Sequence, residues 1–238
     1  MALSKKELYK LDRNHEWMKI ISNQDITNPS YHIYKNQKKR LTRLIKYIDF
    51  NKEDRVADFA CGNGVLLDLI YNKVFSYDGI DFSEDFIQLA KKRKEENGIN
   101  NAKFYSMDIL EFCKDKIGVY DKAFAMDFSE HISDDEFVSI FRSIKRTLKD
   151  NGKLYIHTPN GDYLLEIFKK LGLMKKDKGH IGIRNDEQYI YLLRKIDNKN
   201  IKIKYLAHYL SYLSIFHFLS YIPFFGKYFK ARLFIECS

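Results

Sequence analysis

Apolar residues at helical spacing come first along the chain. In "YKNQKKRLTRLIKYI", Leu41, Leu44, Ile45 and Ile48 form one stripe with a basic back, the mark of an amphipathic helix. Residues 5–50 read as helical, and residues 1–50 as an N-terminal helical cap. From Asp54 the period changes. "RVADFA" predicts a strand, "GVLLDLIYNK" a helix, "SYDGIDF" a strand and "SEDFIQLAKKRKEEN" a helix. Ser83 stands at the N-cap position of that last helix, with acids in the first turn and lysines in the last, as capping and the helix dipole favour. "AKFYSMD" and "YDKAFAMDF" predict two further strands, and "SDDEFVSIFRSIKRTLKDNG" a helix that stops at Gly152. "KLYIHTPN" predicts a fifth strand.

The later part continues less regularly. "DYLLEIFKKLGL" and "NDEQYIYLLRKI" predict helices, and "NIKIKYLAHY" and "KARLFIECS" strands. The alternation implies an α/β fold: a Rossmann-like, mostly parallel sheet of about seven strands with helices on both faces. Residues 51–238 are read as one domain, with 51–160 as the cofactor-binding core and 161–238 as substrate-side elements and last strands.

One segment interrupts this pattern. Tyr205 to Gly226, "YLAHYLSYLSIFHFLSYIPFFG", contains no Asp, Glu, Lys or Arg. Its length would span a bilayer, yet two histidines, four tyrosines, three serines and Pro223 interrupt it. It is read as the end of a strand followed by an apolar helical excursion before the last strand, with peripheral membrane contact as the alternative.

Charge adds a second asymmetry. The chain has 238 residues and a net charge of +9. Residues 1–160 carry 27 basic and 25 acidic groups, and residues 161–238 carry 14 and 7. A basic end suits phosphate, nucleic acid or an anionic membrane, and equally a solvated lysine-rich surface. Cys61, Cys113 and Cys237 have no metal spacing, and no CxxC or HExxH pattern occurs. No metal site is expected, and a reducing compartment is. The polar N-terminus "MALSKKELYKLDRNHEW" shows no secretory signal, so a cytoplasmic location is expected, with membrane association open.

The chemistry gathers at the strand ends. In "VADFACGNG" an acid, Asp58, precedes Gly62 and Gly64; the next predicted strands end at Asp81, Asp108 and Asp127. One such acid is an ordinary helix cap, but four along the edge where open α/β sheets bind ligands point to a site. Glycines let the backbone approach a ligand. Asp81 follows Gly62 by about twenty residues, the spacing of an acid that grips ribose hydroxyls. Asp108 suits an adenine amino group, with Met107 and Ile109 against the ring faces. The turn lacks GxxxxGK[ST] and its acids would repel a pyrophosphate, so an NTPase or dinucleotide enzyme is disfavoured. An adenosyl ligand with a positive end fits.

These stretches, in order, resemble the motifs of class I S-adenosylmethionine-dependent methyltransferases over residues 31–160. "VADFACGNG" resembles the first motif, with Ala60 where the family's first glycine stands. "GIDFSEDFIQLAKKR" resembles the second, carrying Asp81 and Phe82; "FYSMDILEF" resembles the third; "YDKAFAMDFSEHI" resembles the fourth, with Asp127 and Phe128 near the transferred methyl. The resemblance implies S-adenosylmethionine as cofactor, with S-adenosylhomocysteine as product. It implies that Asp58 helps fix the turn and approaches the cofactor's amino end. It also suggests that Arg40 reaches the methionine carboxylate, a solvated arginine being the alternative.

Methyl transfer rests on alignment, worth roughly 7–11 kcal/mol. A neutral alcohol acceptor also needs a base, and a positioned histidine contributes about 10²–10⁴-fold. His131 and His180 are the candidates; a helix-start histidine and a solvent loop are the plainer readings. Both would bind anion if the acceptor were an acidic oxygen. Tyr31, His32 and Tyr34 are candidates for a substrate lid or for core packing. After the fourth strand the chain reads DFSEH, neither N/D-P-P-Y/F nor Pro-Cys. That leaves small-molecule methylation, with oxygen preferred. The pattern resembles bacterial enzymes acting on quinones, sugars and surface polysaccharides, including those that methylate sugar, nucleotide-linked or phosphoramidate groups in capsule biosynthesis. An RNA methyltransferase and a non-catalytic partner subunit are the alternatives; nucleic acid is not an expected partner.

Overall fold

The structure, a computed structural model, describes residues 29–175, 179–209 and 211–238. The expected N-terminal helix therefore lies partly outside the described residues. Its described part is α1 (Pro29–Leu44), followed by a 3-10 turn, Ile45–Tyr47. Leu41, Leu44 and Ile48 are buried and Lys38, Lys39 and Arg43 exposed, as the apolar stripe requires.

The strands are β1 (Arg55–Phe59), β2 (Ser76–Asp81), β3 (Ala102–Ser106), β4 (Tyr120–Met126), β5 (Leu148–Pro159), β6 (Ile201–Leu206) and β7 (Arg232–Cys237). They form one seven-stranded sheet in the order β3-β2-β1-β4-β5-β7-β6. The pairs β2–β3, β1–β4 and β4–β5 are parallel; β5–β7 and β6–β7 are antiparallel. The order reverses between β1 and β4, the switch point where such sheets bind ligands. Asp58 pairs across this boundary with Phe124.

Between the strands lie α2 (Leu67–Ile70), α3 (Glu84–Glu96), α4 (Ile109–Cys113), α5 (Asp134–Thr147), α6 (Leu164–Lys170) and α7 (Asp186–Arg194). Ser83 caps α3 as expected, its hydroxyl accepting from Phe86 N at 3.4 Å. Ser133 and Glu136 form a capping box on α5, and Asn185 and Gln188 another on α7. Each satisfies backbone donors that a helix start leaves open, worth about 1 kcal/mol per cap.

Three elements depart from the pattern. The helix expected over 64–73 is only α2 and a 3-10 turn, Tyr71–Lys73. The helix expected to run to Gly152 stops at Thr147 and β5 begins at once. The N–H groups of Gly118 and Val119 bond the carbonyls of Arg146 and Thr147 at 3.1 and 2.8 Å, taking the end of the helix into the sheet connection. The apolar excursion is not one helix either. It forms α8 (Ser211–Ser214), a 3-10 stretch Ile215–Tyr221 and a second, Gly226–Phe229. Its aromatics and serines are weak helix formers. Pro223 disfavours helical backbone before it, and Phe224 takes a positive φ of 64°.

The contacts divide the chain into two compact units. One holds the described residues up to Asp54 with Cys61–Asp108; the other holds Arg55–Ala60 with Ile109–Ser238. In the first, Tyr77 and Phe104 pack edge to face at 5.8 Å. In the second, Phe124, Tyr155 and Phe234 stack in series at 5.3 and 5.9 Å. Phe137 stacks on Phe141 at 4.1 Å.

Candidate active site

In the first unit the glycine turn is held by the end of β2. Gly62 N donates to Asp81 Oδ2 at 2.9 Å, and Ser83 N donates to Asp81 Oδ1 at 2.9 Å. Cys61 N reaches Ile80 O at 3.0 Å. Burial pushes the Asp81 carboxyl upward, and the N–H groups of Ser83, Gly62 and Phe82 oppose that push. A carboxylate offers about four lone-pair sites, so beside these three N–H groups there is room for a hydroxyl donor.

The two glycines do different work. Both have positive φ, 53° at Gly62 and 74° at Gly64. A Cβ at Gly62 would meet nothing within 4 Å, whereas one at Gly64 would lie 3.0 Å from the Phe104 ring and 3.1 Å from Ala90. Gly62 is open towards a ligand, and Gly64 allows close packing. After β3, Met107, Asp108 and Ile109 are half-buried, and Met107 N bonds Asp81 O at 3.0 Å. Phe82 is exposed, and Arg40 is half-buried on α1. A turn open at Gly62 beside a buried carboxylate, with a half-buried apolar stretch nearby, fits an adenosyl ligand. Tyr31, His32 and Tyr34 fall on α1, and their side chains lie outside the described residues.

In the second unit Asp58 is buried in β1, and Ala60 and Asp127 follow the adjacent strands β1 and β4 with left-handed φ of 58° and 54°. Such backbone is costly for a residue with a Cβ and persists only where surroundings fix it. At Asp127 they do. Asp127 N bonds His157 O at 2.8 Å, and its carboxylate accepts from His157 Nδ1 at 2.9 Å and from the Arg232 guanidinium. Arg232 Nε donates to His157 Nε2 at 3.0 Å. Nε2 is therefore the acceptor and Nδ1 carries the proton given to Asp127. Phe128 follows, stacked on Phe141 at 6.2 Å.

The 3-10 turn Ser129–His131 comes next. His131 Nδ1 bonds the carbonyl of Gly179 at 2.9 Å, and the His131 and His180 rings lie 4.9 Å apart. A carbonyl accepts only, so Nδ1 is the N–H of this pair. Arg184, buried, stitches the two segments together. Its Nη1 donates to Ser129 O and Gly182 O at 2.8 Å, its Nη2 to Ile132 O at 2.8 Å, and its Nε to Asp134 Oδ1 at 2.7 Å. Gly182 N bonds Glu130 O at 2.9 Å. Glu130, 2% exposed, accepts from Thr158 Oγ1 at 3.4 Å. Tyr189 lies beside it, its hydroxyl bonding Ser129 and Thr158 at 2.7 and 3.0 Å. Burial first, and then the Glu130 charge, raise the Tyr189 hydroxyl.

A family model described as "Methyltransferase domain" matches residues 50–202. The chain belongs to this methyltransferase family. Among curated relatives it is similar to the ubiquinone biosynthesis O-methyltransferase of Acinetobacter baylyi, 25% identical over 118 residues, covering 50% of this chain and 49% of that protein. It is likewise similar to that of Actinobacillus pleuropneumoniae, 29% identical over 110 residues, covering 44% and 46%. The chain spans about half the length of the curated relatives it matches. Its fold matches a SAM-dependent methyltransferase from Archaeoglobus fulgidus (TM-score 0.64, 20% identity, 86% and 93% covered). It also matches the magnesium protoporphyrin IX methyltransferase of Synechocystis with bound SAH (TM-score 0.66, 14% identity, 97% and 96% covered).

Against this methyltransferase frame, the structure brings together His131 and His180, which lie 49 residues apart in the chain. It also bonds Gly62 N to Asp81, a contact that the spacing, read for ribose hydroxyls, did not itself call for. Glu130, His157, Arg184 and Arg232 were not singled out from the sequence. For Glu130 a signal was present, since it directly precedes His131. The other three act through contacts that no local pattern encodes.

Proposed function

We propose that this protein is an S-adenosylmethionine-dependent methyltransferase that methylates a hydroxyl oxygen of a small molecule. S-adenosylmethionine, when bound, supplies a methyl group on a sulfonium sulfur. Gly62 gives backbone access, Asp81 accepts from the ribose hydroxyls, and Met107, Asp108 and Ile109 take the adenine. Phe82 adds apolar cover beside Asp81. Asp58, Ala60, Asp127 and Phe128 border the reacting end, and Arg40 meets the cofactor's carboxylate.

The observation that carries the oxygen acceptor is His131. Its Nδ1 donates to Gly179 O, and in the neutral ring Nε2 is the basic nitrogen that would take the proton of an acceptor O–H. Arg184 ties the backbone on either side of His131 to Gly182, two residues after His180, which supports the alignment that transfer requires. The acceptor's narrower identity as a sugar, nucleotide-linked or phosphoramidate group of a capsular polysaccharide rests on the sequence resemblance alone. A quinone or other lipid-like small molecule is the second reading, favoured by the relatives' name, ubiquinone biosynthesis O-methyltransferase. Transfer of labelled methyl from S-adenosylmethionine to paired acceptor panels tests both. Methylation of neither panel by protein that binds S-adenosylhomocysteine would reject the oxygen-acceptor reading.

A membrane surface is the proposed partner. Phe224 is 93% exposed and Tyr221 81%, with Tyr212, Ile215, Phe216, Phe218, Ile222 and Phe225 also exposed. Lys227 and Lys230 follow directly. Exposed aromatics beside lysines suit an anionic lipid interface. Among the described residues no helix is long and apolar enough to cross a membrane.

A further inference from the structure

We propose that Glu130, His131 and His180 bind a divalent transition metal of the zinc or cobalt type, and that this metal meets the acceptor hydroxyl. The inference deepens the O-methylation reading and rests on it for the chemistry, though not for the metal itself; with the metal bound, His131 is a ligand, and activation of the hydroxyl by the metal replaces its role as base. One donor atom from each residue lies within 4.8 Å of the others. Metal–ligand bonds of about 2.0–2.2 Å hold tetrahedral donors roughly 3.3 Å apart, a closure that side-chain rotation can supply.

The donor chemistry and the support around it favour a metal over three independent side chains. Two imidazoles and one carboxylate, with a position left for substrate, form a ligand set used by catalytic zinc. Imidazole nitrogen suits zinc and the later first-row metals better than magnesium, calcium or manganese. His131 already makes the kind of bond that orients a metal-ligating histidine, with Nδ1–H on the Gly179 carbonyl. Glu130 carries the corresponding outer support from Thr158 Oγ1. A carboxylate this buried is favoured by a nearby positive charge.

The backbone is fixed as firmly as the donors. Gly182 N bonds Glu130 O, and Arg184 bridges Ser129, Ile132 and Gly182. A Cβ at Gly182 would lie 2.1 Å from Ile132 O, so only glycine permits this approach. These contacts hold the segment carrying His180 against the turn carrying Glu130 and His131. The sequence expectation of no metal site followed from local spacing, and this donor set arises from residues on two segments.

In the reaction, the metal lowers the pKa of the acceptor hydroxyl, as it does for bound water. The O–H proton passes to solvent water, and the oxygen lone pair forms the new O–C bond. The methyl C–S bond breaks with its electron pair returning to sulfur. No electron is gained or lost overall.

The test is titration of tag-free, chelator-treated protein with Co²⁺, read by visible absorption and by calorimetry. Glu130→Gln and His180→Ala are run alongside, with folding checked by circular dichroism. The wild type should bind one equivalent of Co²⁺ with the intense bands of a four-coordinate site. Each folded variant should bind more than about 100-fold more weakly, a larger loss than outer-shell changes cause. Glu130→Gln keeps the side chain's size, so it remains informative if His180→Ala fails to fold. Binding that is absent in the wild type, or equally tight in a folded variant, would overturn the metal site. Methyl transfer that persists undiminished in the chelator would overturn the metal's chemical role while leaving the O-methylation reading standing.

Discussion

The two glycines of the turn after β1 should answer differently to the same substitution. Alanine at either position must adopt a left-handed backbone, since φ is 53° at Gly62 and 74° at Gly64. That costs about 1–2 kcal/mol, offset by roughly 0.4–1 kcal/mol from the stiffer unfolded chain. At Gly62 nothing lies within 4 Å of the new methyl, so Gly62→Ala should lose only about 1 kcal/mol. At Gly64 the methyl presses on Phe104 at 3.0 Å and Ala90 at 3.1 Å. Overpacking adds about 1–3 kcal/mol there, for a total of roughly 2–4 kcal/mol. The order reverses for ligand binding. The Gly62 methyl projects where the account places the cofactor, so Gly62→Ala should weaken S-adenosylhomocysteine at least tenfold. Folded Gly64→Ala should retain more affinity. Urea unfolding gives the stabilities and calorimetric titration the affinities. Equal stability losses, or a Gly62→Ala protein that binds S-adenosylhomocysteine normally, would refute the assignment of the two glycines.

Three further outcomes follow from the second unit. Gly182→Ala should cost about 2–3 kcal/mol by forcing the chain away from Ile132 O; methyl transfer should fall while S-adenosylhomocysteine still binds, as paired calorimetry and turnover assays would read. Burial, then the charges of Arg232 and Lys169, hold His208 down to about 4. The unfolded chain therefore takes up that proton first as pH falls from about 6.5 towards 4. Stability should drop by about 1–2 kcal/mol across that window after allowance for solvent screening, and His208→Asn should flatten the drop in urea titrations at each pH. Replacing Tyr221 and Phe224 with aspartate should abolish flotation with anionic liposomes without lowering the unfolding midpoint, since both side chains are exposed.

The fold was legible wherever local chemistry decides it. Alternating strands and helices gave the mostly parallel sheet, and Ser83 its cap. The 205–226 segment misled because its apolar composition suggests a helix, while Pro223 and the positive φ at Phe224 break it up. Ala60 read as a departure from a glycine pattern, and its φ of 58° shows that the glycine-like backbone is kept regardless. Much of the candidate site was hidden for a different reason. Arg184 reaches Ser129 and Ile132 across more than fifty residues, and Arg232 reaches Asp127 across 105. Such pairs follow from the strand order and from one loop's return, which no local spacing records.

Calorimetric titration of S-adenosylhomocysteine into the wild type, beside Asp81→Ala, decides whether Gly62 and Asp81 belong to a cofactor site. Asp81 holds Gly62 and Ser83 by their N–H groups, so circular dichroism must first show that the variant is folded. The account predicts micromolar binding by the wild type and its loss in the folded variant. A folded wild type that binds no S-adenosylhomocysteine would contradict the methyltransferase reading and bring forward the non-catalytic partner subunit.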